Sequence, residues 1–242
     1  MFRKGFFGVM VLLVGLVLMF ALAGCGDDGD PSSPPGGNGG SGDNGGNGNG
    51  NGNGNGGNVP ESVLINGVEW ATRNVDAPGT FAATPDDFGM LYRWGHSTGW
   101  SNTGNDPTIS SPTGQVWDNN TIATGDTTWS IAKDPSPEGW RVPTVAEIET
   151  LCDGNKVQRT WDDDGCTFTD KTNGNSIFFP LTTKRRSQDG RLGQGTECFY
   201  WSSQQYQENQ YSAYYLNISS VWAFVTTGTS KGDALPVRPV KQ

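Results

Sequence analysis

Pro137-Glu138-Gly139-Trp140-Arg141-Val142-Pro143-Thr144 runs directly into Val145-Ala146-Glu147-Ile148-Glu149-Thr150-Leu151. This stretch carries the clearest helix of the chain. Thr144 stands where an N-cap belongs and Glu147 follows three residues later, the pattern of a capping box; Val145, Ile148 and Leu151 supply one apolar stripe. The helix is predicted to be short, because Asp153-Gly154 closes it.

Working outward, the pattern is β on both sides. Upstream, Val63-Leu64-Ile65 and Val68-Glu69-Trp70 flank Asn66-Gly67, the dipeptide best suited to a tight hairpin turn. Phe88 to Trp94 reads as a further strand. Downstream, candidate strands lie at 156–160, 167–169, 176–179, 199–202, 212–217, 221–226 and 236–240, with Gly and Asn in nearly every gap. The forty residues after Trp94 are rich in Ser, Thr, Gly, Asn and Pro, with Trp100, Trp117 and Trp129 spaced along them. They predict a long loop pinned by aromatic side chains. The fold class expected is α+β, mostly antiparallel β with one or two short helices, preceded by a disordered linker.

The N-terminal quarter is different in kind. Arg3 and Lys4 precede an apolar run from Phe6 to Ala23, the layout of an export signal. Its eighteen residues lie at the lower edge of what spans a bilayer, so length alone leaves an uncleaved anchor open. Leu22-Ala23-Gly24-Cys25 resembles the lipobox of bacterial lipoproteins. That resemblance implies removal of residues 1–24 and lipidation of Cys25, and the several acyl chains of such proteins anchor far better than one. Residues 25–58 then form a tether: Gly and Asn alternate with nothing to bury, and a coil of this kind reaches about 30 Å. Asp27, Asp28 and Asp30 resemble the acidic export tag of Bacteroidetes surface lipoproteins. The expected location is therefore the outer membrane, displayed at the cell surface, with the periplasmic face as the alternative.

The globular part, residues 59–242, holds all nine tryptophans. The chain has 16 basic and 25 acidic residues, and two of the basic ones fall in the signal. Such a domain lacks the basic stripe that nucleic acid requires. Partners are expected to be the membrane, through the lipid, and a glycan or surface protein.

Several pieces occur in an order that resembles the Fibrobacter succinogenes major paralogous domain. They are Pro137 to Thr144 with Glu147 and Leu151, Asn66-Gly67-Val68-Glu69-Trp70-Ala71 with Asn74, Gly89 to Gly95, Asn173 to Pro180, Tyr200-Trp201-Ser202-Ser203, Ala213-Tyr214-Tyr215-Leu216, and Pro236 to Val240. The resemblance spans nearly all of residues 62–241. It implies a C-type-lectin-like fold and a place among surface lipoproteins. The family often has a cysteine where this chain has Ser136, so a disulfide of the family is missing or rewired here.

Three cysteines remain in the domain, Cys152, Cys166 and Cys198. Cys152 and Cys166 would close a loop of about fifteen residues, for roughly 3 kcal/mol; a bridge from either to Cys198 is the rival. Nothing around them matches the cysteine pair of formylglycine-generating oxidases, which share the lectin-like fold. Asp162-Asp163-Asp164-Gly165 lacks the alternating oxygen ligands and closing Glu of a calcium loop and reads as a solvated acidic turn. The calcium and sugar triplets of sugar-binding C-type lectins are missing from the sequence. His96 is the only histidine, which excludes a His-pair zinc site and leaves any triad dependent on one loop residue. No catalytic residue, cofactor motif or metal-ligand set is assigned. The segment from Gln204 to Trp222 is dense in Gln, Asn, Ser and Tyr, a composition suited to recognition, although Ala213, Tyr215 and Leu216 also fit core positions. The candidate ligand residues are Trp100, Trp117, Trp129, Tyr206, Tyr211 and Trp222. The expectation is a non-catalytic binding module, with an envelope-assembly lipoprotein or a polysaccharide hydrolase as alternatives.

Overall fold

The computed structural model describes residues 61–104, 117–118, 125–193 and 195–242. The signal, Cys25 and the tether lie outside the described residues. The chain divides into two units, 1–53 and 54–242, and every described residue belongs to the second.

Asn66 and Gly67 adopt φ of 44° and 85°, the pair of positive values that a tight hairpin turn demands. They join β1 (Ser62–Ile65) to β2 (Val68–Ala71) in the register Ile65 to Val68. β2 continues a four-stranded antiparallel sheet through β13 (Val240–Lys241) to β5 (Trp140–Arg141), so the two ends of the domain are paired, Val240 opposite Trp70. A second sheet places β3 (Leu91–Arg93) between β12 (Ala234–Leu235) and β4 (Gly99–Trp100). A third is the meander β6 (Val157–Trp161), β7 (Gly165–Asp170) and β8 (Ser176–Pro180). The fourth consists of β9 (Cys198–Gln205), β10 (Ser212–Ile218) and β11 (Ala223–Ser230), with a bulge in β10 between Ala213 and Tyr215.

The α1 helix (Val145–Leu151) has its full capping box, and Ile148 and Leu151 are its buried residues. It packs on the sheet of β9, β10 and β11. Glu147 does more than cap: its carboxylate also receives both terminal nitrogens of Arg141, at 2.8 and 2.5 Å. A single 3-10 turn (Ile131–Lys133) is the only other helical element among the described residues.

Two predicted strands are cut short for physical reasons. Phe88 to Trp94 is a strand only from Leu91, because Gly89 turns with φ of 65° and lies against the Val75 carbonyl, where no side chain fits. The segment 236–240 pairs regularly only at Val240; Pro236 and Pro239 have no N–H to give a ladder.

The largest core cluster joins Trp70, Phe168, Phe179 and Tyr200 to Ile148 and Leu151. A second gathers Tyr92, Trp94, Trp129 and Trp201, and a small third holds Leu91, Trp100 and Ala234. Among the described residues all three draw on positions from Val63 onward, so the second unit carries a core of its own, as a domain that folds alone requires.

Candidate functional site

Trp100 and Trp117 are tied inward by Arg93. Its guanidinium lies 4.0 Å over the Trp117 ring and 5.7 Å from that of Trp100, and it pairs with Asp118 at 2.7 Å. The two indoles meet edge to face at 4.8 Å. Gly190, at φ of 66°, sits so close that an added methyl would lie 2.7 Å from Trp117 Cγ. Trp129 packs on Trp94 at 5.9 Å and donates to the Lys133 carbonyl. Lys231, fully buried, lies 4.2 Å over the Trp94 ring and donates to Gln205 at 2.7 Å. The expectation that Trp100, Trp117 and Trp129 face a ligand is corrected: Trp100 and Trp129 are buried and Trp117 is clamped, so all three serve as packing anchors.

The other three candidates do not share a site. Tyr206 and Tyr211 belong to the β9–β10 connection. The Tyr206 hydroxyl donates to Glu208 at 2.7 Å and its ring meets Tyr214 edge to face, while Tyr211 is exposed. Trp222 lies at the β10–β11 turn beside Phe224, with ring centroids 6.3 Å apart. The seven residues of β10 separate these groups, roughly 20 Å at the rise of an extended strand. A single recognition surface built from all three is therefore corrected to two separate exposed ends.

The expected Cys152–Cys166 bridge is likewise not formed, for all three cysteines of the domain are free thiols. Cys166 points into the core from β7, opposite Phe179, whereas Cys152 closes α1 at its C-cap. Burial pushes each thiol up to about 12, so they are protonated and inert as nucleophiles at neutral pH. His96 is held below its ordinary value, first by burial and then by Lys133 and Arg93. Among the described residues no group of His, Cys, Asp and Glu is placed to hold a metal ion.

The concave surface lies elsewhere. Two adjoining hollows, of about 400 and 740 Å³, share Asp86 and Phe88 in their walls. The first adds Asp76, Asp87 and Asn102; the second is floored by Phe178, Pro180 and Leu181 and rimmed by Asp162, Asp163 and Asp164. The turns that build this cleft are self-supporting. Asp87 accepts from the Thr84 amide at 2.8 Å, Asp162 accepts from the amides of Asp164 and Gly165, and Asn102 donates to Gly89 O at 2.7 Å. Asp163 and Asp164 are thus turn residues, as their sequence suggests, but they edge a cavity. Among the described residues the lining holds carboxylates, one amide and apolar side chains, with no histidine, cysteine or lysine. Sequence reasoning missed Asp86 and Phe88 as site residues; the only local sign was Thr84-Pro85-Asp86-Asp87, a turn composition directly before the strand expected from Phe88.

Comparison of the chain with protein-family models, with curated proteins and with solved structures finds no match.

Proposed function

We propose that this protein is a surface-displayed, lipid-anchored binding module that recognises a glycan in the cleft around Asp86 and Phe88. The observation that carries the reading is the pair of adjoining hollows sharing those two residues. Carboxylates accept hydrogen bonds from hydroxyl groups, the Asn102 amide both donates and accepts, and the partly exposed Phe88 ring offers a face to the C–H surface of a sugar. A few polar groups converging in an apolar-floored hollow are what small-ligand sites are made of. With several carboxylates and no cation among the described residues of its lining, the cleft selects against sulfated and uronic-acid glycans and for neutral or amine-bearing ones.

The same reading takes the fold as C-type-lectin-like and the chain as a member of the major paralogous domain lipoproteins, supported by the ordered motifs from Asn66 to Val240. Lipidation of Cys25 and the tether through residue 58 then supply attachment and reach. A glycan array probed with residues 59–242 tests the binding. Neutral or amino-sugar spots should be bound and should fade with Asp86→Asn and with Phe88→Ala. Blank spots throughout, or binding indifferent to both substitutions, would overturn the assignment.

A further inference from the structure

β11 is an edge strand without the usual protections. Its eight residues, Ala-Phe-Val-Thr-Thr-Gly-Thr-Ser, include no charge and no proline, and among the described residues it pairs with β10 alone. Natural edges of this length normally carry a lysine, a proline or a cover. The ladder alternates in an antiparallel pair, and its phase is set at the turn, where Ser219 N donates to Trp222 O at 2.7 Å. Asn217–Phe224 and Tyr215–Thr226 therefore exchange the next bonds with β10, and the N–H and C=O groups of Ala223 and Val225 point away from it. Among the described residues no backbone group bonds to them.

A cleft of about 300 Å³ opens beside Ala223. Leu151, Val157 and Phe168 give it apolar walls, and Arg159 and Lys171 line it with positive charge. Arg159 reaches across from β6 to donate to the carbonyls of Ser219 and Trp222, the latter at 3.0 Å, and Lys171 donates to Gly154 O at 2.6 Å. Neither cation has a carboxylate partner among the described residues. Among the described residues no acidic one lines the cleft, on a chain with 25 acidic and 16 basic residues. Val221, Trp222 and Phe224, next to Ala223 along the chain, are all exposed.

We propose that the outer edge of β11 at Ala223–Val225 and this cleft form a docking groove for an extended peptide segment bearing an apolar side chain next to a carboxylate. The backbone of such a segment completes the ladder, its apolar residue enters the space between Leu151, Val157 and Phe168, and its carboxylate meets Arg159 and Lys171. Addition of a strand to a free edge, with a side pocket for specificity, is a recurrent mode of peptide capture. The unpaired amides and carbonyls favour a polypeptide over a lipid or a glycan, and the two cations set its charge. This groove is lined by none of the residues of the aspartate cleft, and the two sites stand or fall separately.

The test is selection of a phage-displayed library of random dodecapeptides on immobilised residues 59–242, followed by synthesis of the enriched peptides and amide-resolved NMR. Enriched sequences should place Asp or Glu within two positions of a large apolar residue and should shift the amides of Ala223 and Val225. N-methylation of alternate peptide nitrogens and the variant Ala223→Pro should each weaken binding roughly five- to tenfold, the loss of one or two hydrogen bonds. Lys171→Gln should cost roughly threefold, and Asp86→Asn nothing. Peptide N-methylation leaves the protein untouched, so the result stands even if Ala223→Pro unfolds. Failure to enrich any sequence beyond an unrelated control protein would overturn the proposal, as would perturbations that avoid β11. A concentration-dependent dimer abolished by Ala223→Pro would overturn it in favour of a second copy on the same edge.

Discussion

Gly190 stands where a left-handed backbone and a close neighbour coincide, φ of 66° against the face of Trp117. The backbone term for a non-glycine residue there is roughly 1–2 kcal/mol, and overpacking adds roughly 1–3 kcal/mol. Gly190→Ala is therefore expected to destabilise the domain by about 2–5 kcal/mol, read from urea unfolding, and to loosen the hold of Trp117 on Arg93. Arg238 is the opposite case, a residue kept for its polar reach. Fully buried without a carboxylate, it donates to Asn74 at 2.7 Å and to Ala71 O, and its guanidinium lies 4.8 Å from the Phe179 ring. Burial lowers its pKa to about 10, so it is still charged at neutral pH. At the thiols burial gives a direct test: in residues 59–242 the buried Cys166 and Cys198 should react with a thiol reagent at pH 8 only after denaturation, when all three cysteines become available. Fewer than three after denaturation would mean that a bridge forms in the secreted protein.

At the scale of elements, the α1 N-terminus concentrates stability in five side-chain bonds among Arg141, Thr144 and Glu147. Thr144→Ala should cost about 1 kcal/mol, and Glu147→Ala more, since it also strands Arg141. Burial works against the Glu147 charge, but hydrogen bonds from Arg141 and Thr144 outweigh it and hold the carboxyl below its ordinary value. Backbone N–H groups of Asn66 and Thr172 do the same for Asp170. A carboxyl depressed in the fold contributes stability above its unfolded pKa, near 4 for both types, and loses it as pH falls through the folded value. His96 acts in the same direction from higher pH. Its folded pKa is lowered, so the unfolded chain takes up the proton first, below about 6.5. The melting temperature should therefore decline in two stages on acidification, and His96→Gln should flatten the first stage while Glu147→Gln blunts the second.

These elements also show what sequence makes legible. The Asn66-Gly67 hairpin and the Thr144 cap are decided within four or five residues, and both form as read. Strand 221–226 shifts to Ala223–Ser230 because the Ser219 hydroxyl accepts from the amides of Val221 and Trp222 and draws both into the turn. The pairing of Val240 with Trp70 rests on partners 170 positions apart and leaves no local trace. The tryptophans were misread for the same reason. Their abundance is visible, but what turns them inward is Arg93, Gly190 and Lys231, whose positions no short window contains. Asp86 and Phe88 have only a turn signal of their own, and the wall opposite them comes from the β6–β7 hairpin far along the chain.

For the whole molecule, the proposed arrangement is a lipid on Cys25, a tether of about thirty residues and a domain that presents two unlike surfaces. The aspartate cleft is acidic and suits a neutral or amine-bearing sugar, and the β11 groove is cationic and suits an acidic peptide. Both need access from outside the membrane to serve recognition at the cell exterior. Anchoring and orientation are separable. Cys25→Ser should abolish incorporation of labelled fatty acid and release the protein from the membrane fraction; continued retention would mean that the apolar segment from Phe6 to Ala23 is an uncleaved anchor. Orientation is read by adding protease to intact cells. Cleavage in the Gly- and Asn-rich tether should shed a fragment of about 180 residues, whose packed clusters of tryptophan, phenylalanine and tyrosine slow further digestion. The fragment should still bind whatever the intact domain binds, because the residues that line both surfaces lie between Asp76 and Ala223. Full protection from protease, with release only after the outer membrane is permeabilised, would place the domain in the periplasm. The acidic-peptide groove would then be the surface in use, and the assembly role would displace display as the function of the chain.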